Sequence, residues 1–238
     1  MRIELAKLPL EFSLYYADYL PLFEPFETQD TPCFSITLSE AELLAARSFY
    51  PDDPSNAYIE HMELCSKISD ALLPYGRVFF HGTAFVWQEK AWIFSALSGT
   101  GKTTQYLQWK LLYGEEVQML NGDKPILEFR EQEIWVHPSP WNGKENMGQM
   151  LSAPLGGIIL LEQNTENIWR SISINDAIVP LFFQFVFSRA TKEQVHRVCA
   201  LVEQLLRQIP IWQLSNKGDA ASAQLCHDML NEVRMHAL

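Results

Sequence analysis

The sequence predicts an α/β protein with a mixed, largely antiparallel sheet and helices gathered toward its C-terminal end. Three observations lead there. Thr83-Ala84-Phe85-Val86-Trp87 and Ala91-Trp92-Ile93-Phe94 are aromatic and β-branched runs separated only by Gln88-Glu89-Lys90, the pattern of an antiparallel hairpin. The second run passes through a glycine turn into a segment of helical character at 102–113. Beyond residue 180, apolar faces of helical spacing and capping signals dominate.

The elements follow in order. Phe34-Ser35-Ile36-Thr37-Leu38 alternates as a strand, and Ser39-Glu40-Ala41-Glu42-Leu43-Leu44 starts a short helix capped by Ser39. Pro51-Asp52-Asp53-Pro54-Ser55 is a turn or linker. Ile59, Met62, Leu64, Ile68, Ala71 and Leu72 line one face of a helix that Pro74 and Gly76 stop. A strand at Val78-Phe79-Phe80-His81 precedes the hairpin. After the 102–113 helix, Val117-Gln118-Met119-Leu120 forms a strand ending at Asn121-Gly122-Asp123-Lys124-Pro125. Ile126–Phe129 and Ile134–His137 make a second hairpin, and 138–145 is loop. Ile158–Leu161 reads as a buried strand, with Ile168–Ile172 as its expected partner. Leu181–Phe187 is apolar almost all round and is expected to be buried, with Phe182, Phe183, Phe185 and Phe187 in the core. Thr191-Lys192-Glu193-Gln194 is a capping box ahead of a helix faced by Val195, Val198, Val202, Leu205 and Leu206. Ile211–Leu214 is a strand, and Asp219 caps a last helix with Cys226, Met229, Leu230 and Val233 on its buried side.

Bulk properties narrow the function. The 238 residues are 47% apolar, enough for one large domain or a domain with an appendage. The expected division is an N-terminal β-rich lobe at 1–50 and a second unit at 51–238. No apolar run approaches a membrane span, and Met1-Arg2-Ile3-Glu4-Leu5 lacks the features of a signal peptide, so no membrane partner is expected. Cys33, Cys65, Cys199 and Cys226 are widely spaced without a Cys-x-x-Cys, which predicts buried free thiols and a reducing, cytoplasmic setting; Cys199 and Cys226 are placed on apolar helix faces. The net charge of −11 argues against nucleic acid and anionic membrane as partners. Residues 1–60 hold 11 acidic and 3 basic side chains, either a solvated face or a surface for a basic partner.

The stretch Ala91-Trp92-Ile93-Phe94-Ser95-Ala96-Leu97-Ser98-Gly99-Thr100-Gly101-Lys102-Thr103-Thr104 carries the chemistry. Strand, glycine turn, Lys-Thr and helix occur in the order of a phosphate-binding P-loop. In such a loop backbone N–H groups converge on an anion, and the helix N-terminus adds a favourable field. The predicted nucleotide contacts are Ser98, Gly99, Thr100, Gly101, Lys102, Thr103 and Thr104. Lys102 supplies charge to the β- and γ-phosphates, and the Thr103 hydroxyl suits Mg²⁺. One position departs: Ala96 stands where the strict pattern has glycine, which a loop keeping φ negative there tolerates.

Four segments together resemble the HPr kinase/phosphorylase-related serine kinases, which share a P-loop fold with the ATP-dependent phosphoenolpyruvate carboxykinases. They are His81-Gly82, Ser98–Thr104, Asn121-Gly122-Asp123, and Pro140-Trp141-Asn142-Gly143-Lys144-Glu145, within a resemblance spanning roughly residues 59–215. The resemblance implies an ATP- and Mg²⁺-dependent kinase acting on a serine hydroxyl of a protein, peptide or small molecule. It implies Asp123 as metal ligand or proton acceptor, with Thr103 beside it on the metal. Lys144 and Glu145 match a loop that closes on the phosphates or acceptor. Self-association is common among these kinases. Such kinases usually carry two adjacent aspartates where this chain has Asp123-Lys124. One carboxylate must then serve twice, or Glu60 or Glu145 supplies the base.

Plainer readings stand beside these. Asp123 also suits a turn after Gly122, His81 a structural hydrogen bond, and Lys144-Glu145 a solvated pair. His137 and Cys226-His227 lack metal-ligand spacing, so no zinc is expected. No Gly-x-Ser-x-Gly elbow points to a serine hydrolase. The alternative function is a nucleotide-responsive binding module with degraded catalysis. A carboxykinase-type lyase ranks last, since the chain is short and shows no arginine cluster for a dicarboxylate.

Overall fold

In the computed structural model, which describes residues 1–235, the architecture grows from one tight turn. Gln88 and Glu89 both take positive φ, 50° and 63°, as a two-residue hairpin turn requires. They join β5 (Thr83–Trp87) to β6 (Lys90–Ser95), paired antiparallel. β5 also pairs antiparallel with β7 (Val117–Asn121), so β6 and β7 run the same way and end at the same edge of the sheet. Helix α4 (Lys102–Tyr113) makes the connection between them.

The remaining strands extend this unit into a mixed, largely antiparallel sheet. Its path is β12 (Phe185–Val186), β4 (Arg77–Phe80), β8 (Ile126–Phe129), β9 (Ile134–His137), β10 (Ala153–Gln163), then β6, β5 and β7. β10 is long enough to serve several neighbours. Its start pairs antiparallel with β9, its middle parallel with β6, and its second half parallel with β13 (Ile211–Asn216). β11 (Ile168–Ser171) pairs antiparallel with β13 and not with Ile158–Leu161, which corrects the expected partnership. The last strand inserts between two that are near in sequence.

Helices cover the faces. α3 (Asn56–Leu72) starts at a Ser55 cap and buries Leu64, Ile68 and Leu72. These meet Phe79 and Ile126 on one side and, on the other, Ile3, Leu5 and Leu10 of a three-stranded sheet. That sheet is β1 (Arg2–Leu5), β2 (Leu8–Phe12) and β3 (Phe34–Ile36), separated by the short α1 (Leu20–Phe23) and followed by α2 (Glu40–Arg47). α2 begins with a full capping box of Ser39 and Glu42. α4 packs with α7 (Ala220–Met235) over an aromatic core that includes Phe85, Phe94, Trp109 and Trp212.

α5 (Ile174–Phe182) and α6 (Lys192–Gln208) close a third cluster, with Leu181, Phe185, Val198 and Leu205 inside. The 181–187 segment is a helix end followed by the short β12, and Phe183 is 62% exposed instead of joining the core. Cys199 likewise lies on the outer face of α6, whereas Cys65 and Cys226 are buried; all four are free thiols. His227 stacks on Tyr113, with ring centroids 4.0 Å apart.

Candidate functional site

The predicted loop forms between β6 and α4. Gly99 and Gly101 take φ of 79° and 102°, conformations that a side chain disfavours. Space around Gly99 is open: a Cβ there would meet nothing within 4 Å. Ala96 keeps a negative φ, so alanine is accommodated at this position without strain. Ser98 and Gly99 are exposed, Thr100, Gly101 and Thr103 half-buried, and Thr104 exposed on the first turn of α4.

Lys102 is the buried member, at 8% exposure. Its Nζ donates to the Ala96 carbonyl at 3.0 Å and to the Leu97 carbonyl at 3.3 Å. These acceptors carry no formal charge. Burial pushes the Lys102 ammonium below the usual lysine range; Asp123 opposes that shift and Lys124 reinforces it. A buried cation held by neutral carbonyls, beside a loop with open space, fits an arriving phosphate.

Asp123 leaves the end of β7 at the edge where β6 enters the loop, because β5 pairs antiparallel with both. The turn is held by Asn121, whose Oδ1 accepts from Asp123 N at 3.0 Å and Lys124 N at 2.8 Å. Gly82 N donates to the Asp123 carbonyl at 2.9 Å, fixing the strand ends together. The carboxylate has two neighbours. His81 Nε2 stands 3.4 Å from Oδ1, and Lys124 Nζ donates to Oδ2. Burial pushes the carboxyl up, but the His81 hydrogen bond and the Lys124 charge outweigh it and hold Asp123 well below the ordinary carboxylate range.

His81 is oriented in turn, with Nδ1 3.0 Å from Gln184 Oε1 and its backbone N–H donating to the Gln184 carbonyl at 2.7 Å. Gln184, which follows α5, was invisible to motif reading, because only the fold brings it here.

The 138–146 loop lies against this turn. Lys124 N donates to the Trp141 carbonyl at 3.0 Å, and Gly122 N donates to Asn142 Oδ1 at 2.7 Å. Gly122 has to be glycine, since a Cβ would sit 2.5 Å from the Asn142 carbonyl oxygen. Trp141 anchors the loop, donating from Nε1 to the His61 carbonyl at 2.9 Å and stacking on the His61 ring. Lys144 and Glu145 are exposed. A Cβ on Gly143 would lie 3.4 Å from Asp123 Cβ and 3.6 Å from Glu145 Oε2. Glu60 is occupied elsewhere, its carboxylate accepting from Tyr15 N at 2.6 Å and Tyr16 N at 3.1 Å.

As metal donors the site offers the Thr103 hydroxyl and the Asp123 carboxylate. Among the described residues, no group of three or more His, Cys, Asp or Glu side chains is gathered to hold a metal ion. An oxygen pair of this kind suits Mg²⁺, which characteristically binds one or two protein ligands together with substrate phosphates. A cavity of about 380 Å³ opens elsewhere, between the 13–15 and 37–42 segments, and no predicted site residue borders it. No helix among the described residues is long and apolar enough to cross a membrane.

No protein-family model matches the sequence, and no curated protein matches it. Among solved structures, the Hpr(Ser) kinase/phosphatase from Coxiella burnetii is similar at a TM-score of 0.40 and 10% identity, over 67% of this chain and 97% of that one. A similarity this distant assigns no role to any residue here. What the chain's own geometry supplies is a glycine loop between strand and helix, with a buried lysine, and a carboxylate just past the end of β7, which runs in the same direction as β6 with β5 between them.

Proposed function

We propose that the chain binds ATP at the 96–104 loop and transfers its γ-phosphoryl group to a serine hydroxyl. The observation that carries this reading is the shared edge. The loop that leaves β6 leads to Lys102, the first residue of α4, and the turn that leaves β7 carries Asp123 at the same sheet edge, where its charge acts on the Lys102 ammonium. Phosphoryl transfer asks mainly for in-line positioning and charge neutralisation, and a cation beside a carboxylate supplies both.

The proposed roles follow from position. The N–H groups of 98–103 and the N-terminus of α4 hold the β-phosphate. Lys102 exchanges the Ala96 and Leu97 carbonyls for phosphate oxygens. Thr103 and Asp123 would hold Mg²⁺, which supplies charge neutralisation to the phosphates when bound. Asp123, ionised because its pKa is held low, accepts the hydrogen bond of the serine hydroxyl. The bond from the γ-phosphorus to the bridging oxygen breaks as the bond to the serine oxygen forms. ADP leaves, and the hydroxyl proton passes late to the carboxylate. Lys144 and Glu145, exposed on the 138–146 loop, would close on the phosphates or the acceptor. The choice of serine rests on the resemblance of the four sequence segments.

The test has two stages. Calorimetric titration of Mg·ATP into wild type and Lys102→Ala should give binding that the substitution removes. Transfer of labelled γ-phosphate is then sought with free serine, serine peptides and cellular protein, comparing Asp123→Asn. Absence of binding at millimolar ATP defeats the nucleotide reading. Binding without transfer to any acceptor favours the nucleotide-responsive module, which the occupied oxygens of Asp123 also suit.

A further inference from the structure

At the end of β7 the lysine that follows Asp123 folds back onto it. Lys124 Nζ donates to Oδ2, and the Lys124 side chain is 15% exposed. With His81 on the other oxygen, the carboxylate has a nitrogen at each end. Lys102 also rests on groups of its own chain, the carbonyls of Ala96 and Leu97. Two ammonium groups thus share one loop edge with a single carboxylate.

This arrangement is short of an anion, and a polyphosphate is one. It also bears on metal. A second carboxylate at position 124 would draw a divalent cation to this edge, whereas an ammonium there repels one and competes for Asp123.

We propose that Lys124 is a latch on Asp123, holding the carboxylate until a nucleotide phosphate draws the ammonium away. This rests on the nucleotide-binding reading above. In the latched state Asp123 takes neither a metal ion nor a hydroxyl proton. Phosphate entry gives Lys124 a stronger acceptor and releases Asp123 in the same event. Metal therefore binds Asp123 after, or together with, nucleotide and not before it. Lys124 acts in this way as a positioning residue, through Asp123.

The test uses the whole chain and two readouts. Mn²⁺ alone is titrated into wild type, Lys124→Met and Lys124→Arg, with free Mn²⁺ read by electron paramagnetic resonance. Non-hydrolysable ATP analogue is titrated by calorimetry in chelator. Wild type and Lys124→Arg should hold Mn²⁺ weakly, and Lys124→Met should hold it about tenfold more tightly, a change of about 1.4 kcal/mol. Lys124→Met should bind the metal-free analogue about tenfold less tightly, with Lys124→Arg restoring most of the affinity. Asp123→Asn in the Lys124→Met background should abolish the gained Mn²⁺ affinity. Mn²⁺ binding unchanged by Lys124→Met overturns the latch while analogue binding leaves the nucleotide reading standing. No analogue binding by wild type overturns the nucleotide reading, and the latch with it.

Discussion

His81 Nε2 stands 3.4 Å from Asp123 Oδ1, tying the turn between β4 and β5 to the end of β7. The contact joins two segments whose backbones also meet, through Gly82 N and the Asp123 carbonyl. Asp123 is thereby oriented from a neighbouring strand end and not only by its own turn.

Replacing His81 by alanine should raise the Asp123 pKa toward the ordinary carboxylate value, as read by carboxyl NMR titration. A carboxylate held low in the folded state adds stability above its unfolded pKa near 3.9 and loses it as pH falls through the folded value. The wild type should therefore exceed His81→Ala by about 1–2 kcal/mol at pH 7, with the gap narrowing on acidification below about pH 4. A gap that is constant with pH would show that His81 acts by packing alone.

Gly122→Ala places a methyl group 2.5 Å from the Asn142 carbonyl oxygen, a backbone atom that cannot swing aside. Urea unfolding should show a loss of about 1–3 kcal/mol. Asn142→Ala removes the acceptor for Gly122 N without the clash and should cost about 1 kcal/mol. Equal stability of Gly122→Ala and wild type would mean that the 138–146 loop is not held against the turn.

His61 carries an acid liability. It is 7% exposed, and burial, then the charge of Lys124, pushes its pKa down to about 4. Its Nδ1 has no hydrogen-bond partner among the described residues. Between its unfolded value near 6.5 and about 4, the unfolded state binds the extra proton, so stability falls as pH falls through that window. The loss should reach on the order of 3 kcal/mol by pH 4. His61→Phe, which keeps a ring between Tyr19 and Trp141, should flatten the dependence measured by urea unfolding at pH 7 and pH 4.5.

The thiols should divide cleanly. Cys33 and Cys199 are exposed, whereas Cys65 and Cys226 are buried, with burial pushing the Cys65 thiol up to about 12. A chromogenic disulfide reagent should label the first pair in the native protein and all four only in denaturant. Rapid native labelling of Cys65 would mean that α3 opens readily from the N-terminal sheet.

Legibility in the sequence followed the range of the interactions. The β5–β6 hairpin, the bounds of α4, the Ser39 cap of α2 and the capping box of α6 depend on neighbours a few residues away, and local chemistry predicts them. The pairing of β11 depends on β13, some forty residues onward, and the run Ile168–Ile172 carries no sign of that preference. Phe183 reads as core from its apolar neighbours, but which face of a helix end meets protein is decided by the packing of α5 on α6. The loop was legible because its glycines and lysine are contiguous. The company of Asp123 was only half legible: Lys124 is adjacent, whereas Gln184 arrives from a distant segment with no motif to mark it.

The insertion of β13 between β10 and β11 has a consequence for synthesis. Until residues 211–216 have emerged and docked, the second half of β10 keeps an open edge, and that edge is Ile158-Ile159-Leu160-Leu161. A nascent chain halted before Ile211 displays an apolar, β-prone segment with unpaired N–H and C=O groups, the kind of surface that seeds aggregation. β11 cannot seal it, because its own partner is the missing strand. The phosphate loop, complete by residue 113, is thus made early from local pieces, while the sheet that supports it is closed by β13, the last strand among the described residues.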